Sequence, residues 1–437
     1  MKMKFAAIGL LAIALAGQSA SAKSLEDVLK EKGVITEEDY KEVTKVKPFD
    51  YTLGKGFTFT TPDEKFQLTL GGRLQFRYTF TDFDINSSTK SDISQWDAKR
   101  IRMIAQGYAY SKDLTYKLEF DLRQLASSTA NKGLIETYLN YRLIDEAQIK
   151  VGQYKTPFSR QELTSDGALQ FVDRSIVVDA FKPTYDIGAM LNGKIANGLA
   201  YYYAGVFGGA GQTSTRSSND NMFVARAVVN PLGDVAYSEA DLDGSPKPLL
   251  SIGANYFKNT VNKTTPAAGA TLDSVANYAA AASSSAPGSG GWLGKGFSKA
   301  GFSTTATDKF DVDSYGADLA FKWMGFSLQG EYLLGQADAH STGHLLRAQG
   351  FYAQTGYMII PKTLEVAYRY SYLDPDRDMA NDHIIENIGA VSYYFNKHNL
   401  KLQADVGNIH TQGNQTVAGV KQPTDDMQYR VQAQIIF

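Results

Sequence analysis

Cysteine is absent from the 437 residues, and histidine (5) and tryptophan (3) are scarce. Without a thiol the chain builds no disulfide framework, thiolate metal site, cysteine nucleophile or covalently attached haem. Excess charge of one sign is also missing. The formal net charge is −2, so no basic nucleic-acid surface is expected. Beyond the N-terminus no apolar run reaches the roughly 18 residues that a helical membrane span needs. Hydrolase and phosphate-loop motifs are missing too: there is no HExxH and no GxSxG, and Gly294-Lys295 is followed by Gly296 rather than by Ser or Thr. The Asp374-x-Asp376-x-Asp378 run begins like a calcium loop, yet Met379 replaces the glycine and Ile385 the glutamate that such a loop requires. His340 and His344 flank a turn with no third ligand nearby. No enzyme activity, cofactor or metal site is expected.

What is present begins with Lys2 and Lys4, an apolar run over 5–16 and the small-residue end Ala20-Ser21-Ala22. That pattern predicts a secretory signal peptide over residues 1–22, cut after Ala22. Residues 23–47 alone have helical spacing. Leu25, Val28 and Leu29 share a face, Gly33 stands where a helix stops, and Thr36 starts a second helix. A short periplasmic helical segment is expected there.

From Phe66 the pattern changes to period two. Leu68, Leu70, Leu74, Phe76, Tyr78 and Phe80 alternate with Gln67, Thr69, Arg73, Gln75, Arg77 and Thr79, so one strand face is greasy and the other charged. The alternation returns over 114–123, 364–372 and 427–437. Such segments run to about 10 residues, the length of a tilted strand crossing a bilayer. Short turns at 111–113, 144–146, 324–325 and 396–399 alternate with long polar loops at 82–95, 124–132, 156–183, 208–220, 259–309 and 412–424. An all-β fold follows: a transmembrane antiparallel β-barrel of about sixteen strands over 57–437, in the bacterial outer membrane and surrounded by its lipid. A barrel of that size leaves a water-filled lumen lined by the charged face. Residues 231–247 are awkwardly long for a periplasmic turn, and loop 259–309 reads as flexible or draped.

Within this pattern the stretch 150–175 (KVGQYKTPFSRQELTSDGALQFVDRS) stands out. It leaves a strand, loses its alternation at Pro157, and is too long and charged for a hairpin tip. It is expected to fold inward and narrow the hole.

Three blocks, 66–78 (FQLTLGGRLQFRY), 99–122 and 152–175, resemble the phosphate-selective porin O and P family. The resemblance spans 57–437 and is weaker over 230–310. It implies a sixteen-stranded porin, a homotrimer, whose third extracellular loop narrows the pore; residues 156–183 take that place. Arg73, Lys99 and Arg100 match basic positions of the family. Where phosphate-preferring members carry a lysine in the inward loop, this chain has Glu162, or Arg160 if the alignment slips. Their Arg-rich fifth loop is here Ala, Ser and Gly.

The candidate pore-lining, anion-interacting residues are therefore Arg73, Arg77, Arg100, Arg102, Lys117 and Arg123. Lys155, Arg160, Glu162 and Arg174 are the candidates of the constriction loop. The arginine fork suits phosphate and carboxylate. The same arginines, with inward Arg226, Arg369 and Arg430, also suit a barrel wall balanced by Glu119, Asp121, Glu136, Glu331 and Asp405. The expected function is passive diffusion of small hydrophilic solutes or inorganic anions, tilted towards anions and without strict phosphate selectivity. The alternative is a structural barrel that anchors or sheathes a partner protein.

Overall fold

The computed structural model describes residues 29–34, 36–38, 48–84, 91–126, 133–216, 218–264, 271–274, 276–280, 287–297, 307–417 and 420–437. It divides into two units, Met1–Pro48 and Phe49–Phe437. The expected signal peptide lies outside the described residues. In the first unit Gly33 takes φ 67°, and the Val34 amide donates to the Leu29 carbonyl at 2.9 Å, closing a helical turn.

The second unit opens with a hairpin, β1 (Phe49–Thr52) and β2 (Gly56–Thr60). The wall follows as β3 (Phe66–Asp82), β4 (Ile93–Ala109), β5 (Ser111–Asp121), β6 (Leu134–Ile144), β7 (Ala147–Lys155) and β8 (Tyr185–Ile195). It continues through β9 (Ala200–Phe207), β10 (Met222–Val229) and β11 (Leu249–Thr264), from which the two-residue β12 (Thr271–Leu272) branches. It ends with β13 (Asp308–Trp323), β14 (Phe326–Ala339), β15 (Leu345–Ile360), β16 (Leu364–Asp374), β17 (Ile384–Asn396), β18 (Leu400–Val417) and β19 (Val420–Ile436). All pairings are antiparallel, and β19 returns to β3 with Ile435 opposite Leu74. Setting aside β1, β2 and β12, sixteen strands of the described residues form one closed barrel. Closure leaves no unpaired edge in lipid.

The alternation decides which way each residue points. Phe76, Leu139, Phe223, Ile252 and Val431 are exposed on the outer face, where the bilayer is their solvent. The β13–β14 turn is Met324-Gly325, both at positive φ (48° and 83°), the tight hairpin geometry that follows the twist of the strands. β2 pairs with residues 67–70 of β3 on the edge that β19 uses higher up, so the hairpin continues the wall below Phe437. Its register sets Phe49 beside Phe59 and Tyr51 beside Phe57 on the apolar face. Asp50, Thr52 and Thr58 lie on the other face, and Thr58 bonds Thr69 at 2.9 Å.

Three segments fill much of the lumen. The first, between β7 and β8, carries the short helices α1 (Arg160–Leu163) and α2 (Ile176–Phe181) and is almost wholly buried. Gly152 of β7, at φ 131°, precedes it, and a side chain there would strike the Thr137 carbonyl. The second is the turn between β10 and β11, residues 230–248, which folds into the barrel and buries Val235, Ala240 and Leu242. The third is the described part of the loop between β11 and β13. It does not drape outside: Tyr278, Trp292 and Leu293 are fully buried, with Trp292 stacked on Phe181 at 6.0 Å and Tyr278 tilted against Phe257 at 5.2 Å. Apolar rings in an aqueous lumen are driven onto one another by the same burial that builds any core.

Candidate pore and constriction

Arg73 lies directly opposite Arg102 across β3 and β4, and Arg100 opposite Gln75. Like charges facing one another destabilise a sheet unless a counter-ion intervenes. Asp166 of the inward loop supplies it. Its carboxylate meets Arg73 at 2.8 Å, Arg100 at 2.6 Å and Arg102 at 3.0 Å. Glu119 adds ion pairs of 3.3 Å to Arg73 and 2.7 Å to Arg102. One turn of loop later Asp173 binds Arg77 at 2.6 Å and Arg430 at 3.3 Å. Burial works against the charge of Asp166, but Arg102, Arg73 and Arg100 outweigh it and hold the carboxyl well below the usual carboxylate range. Gly167 permits this approach, since a Cβ there would lie 2.9 Å from the Arg73 guanidinium.

The loop's other charged residues fasten the loop to itself. Glu162 pairs with Arg174 at 3.0 Å and Lys182 at 2.9 Å. Burial opposes ionisation of Glu162, yet Arg174, Lys182 and Lys155 bring its pKa down to about 2. Arg174 also donates to the carbonyls of Gln161 and Thr164, and Lys155 to those of Glu162 and Thr164. The guanidinium of Arg160, a residue 1% exposed, forms no ion pair among the described residues; it donates to Ser251 at 3.1 Å and lies 4.8 Å from the centre of the Tyr237 ring.

From the far wall Glu331 of β14 accepts from Ser159 (3.0 Å), the Arg160 amide (3.0 Å) and the Gln161 amide (2.7 Å). From below, Glu239 of the inward turn accepts from the Gln170 amide (2.7 Å) and the Gln161 side chain (2.8 Å). Lys401 of β18 and Gln434 of β19 hold the Leu169 and Gly167 carbonyls, each at 2.9 Å. The remaining candidates of the wall pair within it: Arg226 with Asp318 (2.6 Å), Arg369 with Glu386 (3.0 Å) and Arg430 with Asp405 (2.7 Å).

The other side of the lumen stays open. On β10 and β14 the inward residue is buried at almost every second position, whereas on β4 and β6 both faces remain accessible. Glu119 faces Glu136 there, and Lys117 lies between them, paired with Glu119 at 2.7 Å and with Glu136. Lys150 stands 4.2 Å from the centre of the Tyr138 ring and forms no ion pair among the described residues. Arg123 is not brought into this group. It belongs to a four-residue helix after β5, Leu122–Leu125, half exposed and 3.2 Å from Asp97.

Sequence reasoning thus passed over the inward turn with Glu239, the anchoring role of Glu331, and Lys150. The first had one signal, its excess length. Lys150 had another, its place on the charged face of β7.

The family described as phosphate-selective porin O and P matches residues 68–283 and 297–436. Porin O of Pseudomonas aeruginosa is 24% identical over 362 residues, covering 80% of this chain and 76% of that one. Among solved structures, an anion-selective porin from Comamonas acidovorans has a TM-score of 0.55 at 11% identity, covering 84% of this chain and 99% of that one. The outer membrane channel DcaP of Acinetobacter baumannii has a TM-score of 0.54 at 14% identity, covering 88% and 100%. The chain belongs to the phosphate-selective porin O and P family.

Proposed function

We propose that this protein passes small hydrophilic solutes by passive diffusion, with a mild preference for anions and no dedicated phosphate site. The family and the barrel support a bacterial outer-membrane channel rather than an enzyme. The finer reading rests on one observation: Asp166 already occupies the junction of Arg73, Arg100 and Arg102 that an oxyanion would otherwise enter. A guanidinium engaged by a fixed carboxylate offers little to a passing anion. What remains to favour anions is the field of cations without a carboxylate partner, of which Lys150 faces the open side. The porin of Comamonas acidovorans, which shares the barrel fold, is anion-selective and agrees with that direction.

Planar-bilayer recording of the purified protein tests this. The reversal potential in a chloride salt gradient is expected to indicate slight anion preference, and Lys150→Ala to move it towards cations. Phosphate is expected to leave the chloride current unblocked. Cation preference in the native protein, or saturable phosphate block, would sink the reading. We also take the protein to be a homotrimer whose chain begins at Lys23 after export. Native mass spectrometry checks both, and a monomer retaining residues 1–22 would refute them.

A further inference from the structure

Below the charged level, between the N-terminal hairpin and β3–β6, lies a cavity of about 600 Å³. Its size falls within the usual range for small-molecule sites. We propose that it is a holding station for uncharged polyhydroxylated solutes of the saccharide class, distinct from any anion path.

Three observations carry this. First, the lining is made of hydroxyl and amide groups from the polar face of successive strands, among them Thr58, Thr69, Gln106 and Tyr138. No arginine lines it. Second, its two charges, Asp50 and Lys55, are of opposite sign, come from the same hairpin, and form no ion pair among the described residues. The two charges of the lining offset each other, so the lining itself offers an anion no net attraction, and Lys150 stands beyond it over the Tyr138 ring. Third, several polar groups are left free. The exposed Gln106 amide and the Tyr138 hydroxyl make no hydrogen bond among the described residues. An amide offers a donor and an acceptor side by side, and a phenol offers both on one oxygen. Adjacent hydroxyls of a sugar match such pairs, whereas a spherical anion uses only the donors. Tyr138 also joins this level to the one above, because Lys150 lies over the same ring. A solute leaving the constriction thus meets the station next, held weakly enough by exchangeable hydrogen bonds to leave again.

The test uses the full-length protein in a planar bilayer, with maltose as the probe and polyethylene glycol of similar mass as the control for viscosity and volume. Each block is expressed relative to that variant's own open current. Maltose is expected to reduce the native current more than the polymer does. Gln106→Ala and Tyr138→Phe should each raise the half-blocking concentration about threefold to tenfold, the range for losing one hydrogen bond. Maltose acting no more strongly than the polymer, or block unchanged in both variants, overturns the proposal. Stronger block by zwitterionic diglycine than by maltose also overturns it, since Asp50 and Lys55 would then define the ligand. A protein without any channel current would contradict the diffusion reading instead, so the two failures are separable.

Discussion

The two sides of the barrel interior are built from the same alternating strands and reach opposite states. From β10 round to β19 the inward residues lie beneath the constriction loop, the inward turn and the loop after β11. Glu331, Glu239, Asp405 and Lys401 are spent on holding backbone groups and guanidinium groups there. From β5 to β9 the charged residues Lys117, Glu136 and Lys150 keep contact with water. The difference does not lie in composition, because both sides are rich in Arg, Lys, Asp and Glu. It lies in which strands the loop can reach with a counter-ion. Charge on one side becomes structure, and on the other it stays available to solutes.

The sharpest way to break this division is to remove the shared counter-ion. Asp166→Ala leaves Arg73, Arg100 and Arg102 without the loop carboxylate, and breaking a buried ion pair from one side costs about 3–5 kcal/mol. The barrel should unfold at lower urea and its conductance should rise as the loop leaves the wall. An unchanged conductance would mean that the loop's other contacts hold it in place, among them Asp173 with Arg77, the bonds to Glu331 and the packing of Phe158 on Phe257.

A smaller effect is expected on the lower side. Glu239→Ala removes the acceptor for the Gln170 amide and the Gln161 side chain, worth about 1–3 kcal/mol for each buried donor left unpaired. The inward turn should then become accessible to a protease added on its own side of the membrane, while the Asp166 junction keeps the loop on β3 and β4. Protection equal to the native protein would assign the turn's placement to Val235 and Leu242 instead.

The difference between the halves also marks what could be read from the residues alone. Alternation from Phe66 onward is local, so the strands, their number and the inward loop were legible. The counter-ions were not, because Arg73 and Asp166 are far apart in the chain and meet only through the loop's path. Glu162, Asp166 and Asp173 stand in the stretch 150–175, but nothing in their order along the chain shows that they reach the wall and the loop's own cations. The Phe-x-Tyr of β1 and Phe-x-Phe of β2 carried the alternation in runs too short to stand out. In the loop after β11, Trp292 and Tyr278 gave no sign of their partners, since Phe181 and Phe257 arrive from other segments.

The smallest effect expected is an absence of change with pH. A carboxylate whose folded pKa is depressed contributes stability that is fully present above its unfolded value and is lost as pH falls through the folded one. For Glu162 the range runs from 4.5 down to about 2, with Arg174 and Lys182 as the partners that outweigh burial. Asp166 and Asp173 are likewise held well below their ordinary value against the opposing effect of burial, Asp166 by Arg102, Arg73 and Arg100 and Asp173 by Arg77, Lys99 and Arg430. The loop's own carboxylates should therefore stay ionised from pH 7 down to about 5, and the stability they contribute should decline only below the ordinary carboxylate range of about 4. Single-channel conductance measured across that range should remain level, apart from the conductivity of the buffer itself. Glu162→Gln should flatten the part of the acid-induced loss that this residue contributes. A stepwise gain in conductance between pH 6 and pH 5 would mean that the loop is held by groups titrating there, and not by the low-lying carboxylates that grip the arginines.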